Sequence, residues 1–368
     1  MDWSRGEVLG RGSFATVSLA HVRLLSGDHP LPPLMAVKST PLSASAVLRN
    51  EEDVLSRLDD CPYLIRCFYS DVVSSCTEES YNIFLEYAGG GSLRDLLLRS
   101  GGRFPEPAVR RYARAILLGL NYIHECGYAH CDVKLQNVLV FDGGAVKISD
   151  FGLSKKADDR AKGFRGTPLY MSPEAAARDE HGAPGDIWAL GCAVLEMATG
   201  RPPWPNPPDG DAWGLLFKIA FSDASPEIAA DLSQKGKDFL RLCFAKDPAQ
   251  RWTAEMLLRH PFVTSTDAVE DIAGAPWQCT TPLGASPTNV LEIPSLLSPP
   301  PASSTPIHGS SSPMVEENIP ADSCDLSPTD RILELSSMAP PNWASSPPDA
   351  DSGWIEVRAG VLIQSISP

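Results

Sequence analysis

The sequence lacks any unbroken apolar stretch of about 18 residues, the length a membrane-spanning helix needs. Its longest ones, near 113–120 and 189–198, are interrupted by Gly, Arg or Glu. After Met1 come Asp-Trp-Ser-Arg-Gly, with no basic patch leading into an apolar run, so no secretory leader is expected. Neither end carries a myristoylation or prenylation signature. The nine Cys form no CxxC pair and no cluster with His of zinc-site spacing, which reads as reduced thiols in the cytoplasm or nucleus. Lysine is missing from residues 263–368, where 13 Asp or Glu stand against two Arg, Arg331 and Arg358. That stretch holds −11 of the chain's net −15 and leaves −4 to residues 1–262, so the low pI of about 4.9 belongs to it. Its charge argues against nucleic acid or an anionic membrane as a partner.

What is present divides into two kinds of sequence. Residues 263–368 hold 16 of the 34 Pro, with Ser-Pro or Thr-Pro pairs beginning at Thr281, Ser286, Ser298, Thr305, Ser312, Ser327, Ser346 and Ser367. Such a segment buries too little apolar surface to offset its ordering entropy, and a disordered tail is expected there. Upstream, residues 8–37 alternate strand-like positions with turn signals around Gly10–Gly12 and a Pro-rich loop at 25–33. A helix is expected over 44–58, with Val47, Leu48, Glu51, Leu55 and Leu58 on one face. Strands are expected at 65–71 and 80–87, a long helix at 105–126, and short strands at 138–140 and 146–148 around Asp142-Gly143-Gly144. From Pro184 to Phe262 helical patterns prevail. A small β-rich lobe (about 3–86) followed by a larger helical lobe (about 87–262) results.

Four short motifs carry chemistry. Gly10-Arg11-Gly12-Ser13-Phe14-Ala15-Thr16-Val17 lies between strand signals; its glycines let backbone approach a phosphate, and Val17 can cover a flat base. Met35-Ala36-Val37-Lys38 ends an apolar strand in a cation. A carboxylate on the apolar face of the next helix is costly unless paired, which makes Glu51 the partner of Lys38, with Glu52 on a neighbouring face as the alternative. The interval of 13 residues from Lys38 to Glu51 is short, so the helix is expected to be trimmed at its start. His130-Cys131-Asp132-Val133-Lys134-Leu135-Gln136-Asn137 offers a base, a cation and an amide oxygen within six positions, and Asp150-Phe151-Gly152 adds a carboxylate. Alone, a Gly-rich turn, a Lys at a strand end or an Asp-Phe-Gly tripeptide means little. In this order and at these intervals they describe phosphoryl transfer.

Over about 260 residues the chain resembles the eukaryotic protein kinase family. The resemblance implies an α+β, two-lobed kinase fold over 3–262 and ATP with Mg2+ as cofactors. It implies Asp132 as proton acceptor, Lys134 as a charge neutraliser at the γ-phosphate, the Lys38–Glu51 pair at the α/β-phosphates, and Asn137 and Asp150 as metal ligands. Nucleotide contacts are implied at Leu9, Gly10, Gly12, Ser13, Val17, Ala36, Lys38, Glu86, Ala88 and Leu139, with Leu85 at the deep end. Gly166-Thr167-Pro168-Leu169-Tyr170-Met171-Ser172-Pro173-Glu174 is similar to the family's substrate-docking segment, with Ser172 replacing an Ala, and Ala15 stands where the Gly-rich loop has its third Gly. Asp186, Glu174 and Arg251 are implied as structural charges. Lys134 with Thr167 resembles the Ser/Thr class. The N-terminal Gly-Arg-Gly-Ser-Phe-Ala-Thr-Val-Ser-Leu-Ala, Glu-Tyr-Ala-Gly-Gly-Gly-Ser-Leu at 86–93 and His-Cys-Asp-Val-Lys resemble the plant MAP kinase kinase kinases of MEKK type, which implies a MAP kinase kinase as protein substrate in stress or hormone signalling. The alternatives are a Ser/Thr kinase with another substrate and a pseudokinase scaffold; the latter is expected to have lost Lys38, Asp132, Asn137 or Asp150, and all four are present.

Cys131 departs from the Arg that precedes the catalytic Asp in kinases switched on by loop phosphorylation. A buried Arg needs a phosphate or carboxylate partner; a neutral thiol does not. Between Asp150 and Thr167 the only hydroxyl is Ser154, and Asp158 and Asp159 sit where phosphorylation sites often lie. Activity without loop phosphorylation is therefore expected; a second, weaker reading is that oxidation of Cys131 blocks the site, against which stands the ordinary inertness of buried thiols. In the tail, the Ser/Thr-Pro pairs suit proline-directed kinases, Arg331-Ile332-Leu333-Glu334-Leu335 faintly resembles a MAP kinase docking peptide, and Trp354-Ile355-Glu356-Val357 is apolar enough to bind a partner.

Overall fold

The computed structural model describes residues 2–23, 31–58, 61–74, 79–204 and 212–265. The acidic, Pro-rich tail and the loop at 25–33 are outside the described residues, apart from positions 31–33 and 263–265.

Five antiparallel strands, β1 (Asp2–Arg11), β2 (Thr16–Arg23), β3 (Leu34–Pro41), β4 (Cys67–Ser74) and β5 (Glu79–Glu86), form one sheet in the order β1-β2-β3-β5-β4. The period of two along β3 sorts its side chains. Met35 and Val37 turn to one face, where they meet Ala20 and Phe84 in a small apolar cluster. Ala36 turns to the other and joins the main core with Leu85, its cross-strand partner on β5. Lys38 has the parity of Ala36, so its ammonium points to the inner side.

Helix α1 (Ala46–Arg57) lies over that side with Leu48, Glu51, Val54 and Leu55 buried. It begins later than its apolar pattern, because a 3-10 turn at Leu42–Ala44 replaces the first helical turn. The second part of the chain is helical: α2 (Leu93–Arg99), α3 (Glu106–Glu125), α4 (Pro173–Arg178), α5 (Ala183–Thr199), α6 (Ala212–Phe221), α7 (Gln234–Cys243), α8 (Ala254–Leu258) and α9 (Pro261–Thr264). Twelve of the 17 residues of α5 are buried, which makes it a helix enclosed on all sides. α3 buries a single stripe, Val109, Tyr112, Ile116, Leu120 and Ile123 among it, at spacings of three and four. Two short ribbons, β6 (Tyr128–Ala129) with β9 (Lys155–Lys156) and β7 (Val138–Val140) with β8 (Val146–Ile148), lie at the junction of the two parts.

Three elements differ from the sequence pattern. β1 starts at Asp2, six residues before the expected strand. Its pairing with β2 shifts register between Arg5 and Val8 and again before Gly10, which breaks the alternation, while Trp3 stacks edge-on over Phe84 at 5.0 Å and secures the first half. β4 starts at Cys67 because Leu64 and Ile65 are engaged with Ile148 of β8 instead of the sheet. α2 has no counterpart in the expected elements, yet Ser92-Leu93-Arg94-Asp95 is a capping box: Ser92 Oγ accepts from Asp95 N at 3.1 Å, and Asp95 Oδ2 accepts from Ser92 N at 2.9 Å.

Candidate active site

The loop between β6 and β7 carries the first cluster. Asn137 Nδ2 donates to both the carbonyl and Oδ2 of Asp132 at 2.9 Å. Lys134 Nζ lies 2.8 Å from Asp132 Oδ2 and donates to Thr167 Oγ1 at 2.8 Å. Thr167 Oγ1 in turn donates to Asp132 Oδ1 at 2.7 Å. Both carboxylate oxygens of Asp132 are thereby oriented. Spending its Nδ2 on Asp132 turns the Asn137 amide oxygen away, as a free branch for a hard cation.

The loop is held from beneath. Asp186, at the start of α5, accepts from His130 N and Cys131 N at 2.8 Å each, and pairs with His124 Nε2 at 2.9 Å. Burial works against its ionisation, but the His124 hydrogen bond and the His130 contacts hold Asp186 below the usual carboxylate range. Cys131 stands at φ 67°, a conformation costly for a non-glycine residue, and the two N–H bonds to Asp186 stabilise it. Its neighbour is equally constrained: Gly166 has φ +91°, and a Cβ there would lie 2.5 Å from the Cys131 carbonyl oxygen. Burial, reinforced by Asp186, pushes the Cys131 thiol well up from its ordinary value. A thiolate is the reactive form, so this geometry speaks against the redox route.

The second cluster joins the sheet to the same loop. β7 and β8 pair Val138 with Ile148, so Asn137 before β7 and Ser149 after β8 meet, Ser149 N donating to Asn137 O at 2.8 Å. Asp150 follows at once, with φ 65° and ψ 68°. Lys38 Nζ lies 2.6 Å from Glu51 Oε2 and 2.8 Å from Asp150 Oδ1. Burial works to lower the Lys38 ammonium; the two carboxylates outweigh it and hold its pKa above the ordinary value. Burial likewise opposes ionisation of Asp150, and Lys38 overrides it, bringing Asp150 down to about 2. Glu51 is fully enclosed, and burial pushes it up against the pull of Lys38. The neighbouring Glu52 is engaged elsewhere, accepting from Ser70 Oγ at 2.5 Å and from Tyr81 OH. The choice of Glu51 over Glu52 made from helical phase is the one the geometry realises.

The remaining positions fall on β1, β2 and the turn between them, on β3, at and just after the end of β5, and on β7. Gly12 N donates to Ala15 O at 2.9 Å and closes the turn between β1 and β2, with Ser13 exposed at its tip. Gly10 pairs with Val17 across that turn. Leu9, Val17 and Leu139 pack, half-buried, on the core that contains Ala36 and Leu85, an apolar seat of the kind a flat base requires. Glu86 N donates to Arg66 O, and the Glu86 carboxylate pairs with Lys147 at 2.6 Å. Ala88 O accepts from Gly91 N at 3.2 Å. On the other side, an open cleft is lined by Cys131, Asp132, Arg165, Thr167, Tyr170 and Asp186 among others. Arg251 holds Glu174 by two bonds of 2.7 and 3.0 Å below that cleft.

One residue escaped the sequence reading. Asn50, on α1 beside Glu51, donates its amide to the carbonyls of Gly152 at 3.0 Å and Ser154 at 2.9 Å. Asparagine just before the paired glutamate was the only local signal. Ser154 itself is buried, its hydroxyl spent on the His130 carbonyl at 3.1 Å.

A cation held by two carboxylates, an oriented Asp on the adjoining loop and an apolar seat on the sheet side are the arrangement of a phosphoryl-transfer enzyme, and residues 3–263 match the protein kinase domain; the chain belongs to the protein kinase family. Within it, the chain is a Ser/Thr kinase of the MAP kinase kinase kinase type. It is 48% identical over 271 residues, 72% of this chain and 79% of the relative, to mitogen-activated protein kinase kinase kinase 20 of Arabidopsis thaliana. To kinase kinase kinases 17 and 18 of the same plant it is 40% identical, over 74% and 73% of this chain and 72% and 79% of theirs. ATP use goes with the domain. Among the described residues no helix is long and apolar enough to cross a membrane.

Proposed function

We propose that this chain transfers the γ-phosphate of ATP, with Mg2+, to Ser or Thr of a MAP kinase kinase, through a catalytic domain at 3–262. The observation that carries the reading is the joined network of Lys38, Glu51 and Asp150 at one end and Asp132, Lys134, Asn137 and Thr167 at the other. Asp132 accepts the proton of the incoming hydroxyl, and Thr167 keeps its carboxylate aimed. Lys134 neutralises charge that develops on the transferring group. Lys38, fixed by Glu51, grips the α/β-phosphates, while Gly10, Gly12 and Ser13 cover them and Leu9, Val17, Ala36 and Leu139 hold the base, with backbone groups of Glu86 and Ala88 at its edge.

The donor set suits a hard cation. Asn137 offers an amide oxygen and Asp150 a carboxylate, both hard donors. Among the described residues no three His, Cys, Asp or Glu gather to hold an ion alone, as befits an ion shared with phosphate oxygens. When bound, Mg2+ supplies charge neutralisation at those oxygens. Cys131 and the buried Ser154 support an enzyme that acts without loop phosphorylation. The eight Ser/Thr-Pro pairs of the tail support modification by proline-directed kinases, at positions outside the described residues.

The test is radiolabelled ATP with the full chain and an intact MAP kinase kinase, wild type and with its activation-loop Ser and Thr replaced by Ala. Label confined to the wild-type substrate, and lost in Asp150→Ala and Asp132→Asn enzyme, is expected. Label on other Ser/Thr proteins but not on a MAP kinase kinase sinks the substrate assignment, and label persisting in both variants sinks the site.

A further inference from the structure

The four carbonyls that follow Asp150 are all occupied: Ser154 N donates to that of Phe151 at 3.0 Å, and side chains reach the other three. Asn50 Nδ2 reaches those of Gly152 at 3.0 Å and Ser154 at 2.9 Å, with a longer contact to Phe151 at 3.4 Å. Arg165 Nη1 reaches the fourth, Leu153, at 3.1 Å. A primary amide has two N–H groups, so the two short bonds use both, and the long contact is a shared one. α1 also rides directly on this turn: a Cβ at Gly152 would lie 2.6 Å from Val47 Cγ1.

The two donors come from places that matter. Asn50 is one position from Glu51, which holds Lys38. Arg165 is two positions before Thr167, which aims Asp132. Between them, Phe151–Leu153 forms a 3-10 turn, and Asp150 at its head has left-handed φ and ψ. That conformation costs an Asp roughly 1–3 kcal/mol and persists only where the surroundings over-determine it. In many kinases such ordering is supplied by a phosphate on the loop. Here residues 155–166 contain no Ser, Thr or Tyr, and Cys131 offers no cation to receive a phosphate.

We propose that Asn50 and Arg165 form a phosphate-independent clamp on residues 151–154. They are positioning residues, which hold Asp150 beside Lys38 and so set how strongly the enzyme takes the metal-bound nucleotide. The proposal rests on the reading of Asp150 as a metal-binding carboxylate.

Full-length, phosphatase-treated protein carries the test. Asn50→Asp keeps the shape but removes both donors and sets a carboxylate against the carbonyls. Arg165→Ala acts on the loop side and serves as the second variant should the first fail to fold. Each is expected to lower kcat about tenfold or more and to raise the Mg2+ concentration for half-maximal rate by a similar factor. The KM for a short peptide should stay within about twofold. In thermal melts, ATP with EDTA should shift wild type and variants equally, and the additional shift from Mg2+ should fall by more than half in the variants. A lower melting temperature with the Mg2+ increment intact assigns Asn50 and Arg165 to stability alone and overturns the clamp. Wild-type protein that loses activity on phosphatase treatment overturns it too. Asp150→Ala protein that still transfers phosphate sinks the underlying reading instead, and does so without reference to either clamp variant.

Discussion

The Lys38 ammonium touches the Asp150 carboxylate at 2.8 Å across 112 positions of sequence. The contact ties the inner face of the sheet to the segment that follows β8. Removing this cation should leave the fold but not the chemistry. Lys38→Met is expected to reduce phosphate transfer on the order of 10²-fold, measured with radiolabelled ATP on a peptide. Transfer within a few-fold of wild type would remove Lys38 from the site.

The same pair sets a pH dependence. Asp150 titrates at about 2 in the folded protein, below its ordinary 3.8. Its contribution to stability is therefore full above about pH 4 and is lost as the pH falls toward 2. Asp186, also held low, adds with the same sign. Lys38 is raised from 10.5, so its contribution is full below that value and is lost only as the pH climbs beyond it. Melting temperatures of wild type and Lys38→Met should converge between pH 4 and 2; a constant gap across that window contradicts the pairing.

Cys131, half-buried at the edge of the cleft, should react slowly in the folded state, since its thiol is held protonated. Brief iodoacetamide treatment at neutral pH is expected to label the exposed Cys126 and to spare Cys131. Mass spectrometry that finds Cys131 alkylated first would reopen redox control.

Arg251 is a buried cation with two bonds to Glu174 and a third, of 2.7 Å, to the Pro184 carbonyl. Deleting it strands the Glu174 carboxylate, which costs roughly 3–5 kcal/mol. Arg251→Ala should thus melt well below wild type, by about 2–4 °C per kcal/mol. An unchanged melting temperature would mean that water or another cation reaches Glu174.

The catalytic loop was legible in the sequence because its parts are neighbours: Asp132, Lys134 and Asn137 lie within six positions and a single loop orients them. Glu51 was legible because a helix has a period, and Leu48 and Leu55 mark the face it shares. Asn50 was not, because it faces a turn about a hundred residues on and no periodicity points to it. β4 was displaced for a related reason: Ile65 has the residue type of a strand, yet its N–H is bonded to Ile148 of β8. The start of α2 was present in the capping box at Ser92, a polar signal easily passed over in a search for apolar stripes. The tail readings remain sequence expectations, since they fall outside the described residues.

The occupied carbonyls of residues 151–154 also bear on inhibitor design. Phe151 is fully buried and stacks edge-on against His130 at 4.9 Å. A compound that needs Phe151 swung outward must first release the carbonyls from Asn50 and Arg165, whereas one that fills the base slot with Phe151 in place disturbs none of them. Slot-filling compounds should associate quickly and outward-seeking ones slowly, and Asn50→Asp should narrow the difference in association rate between the two.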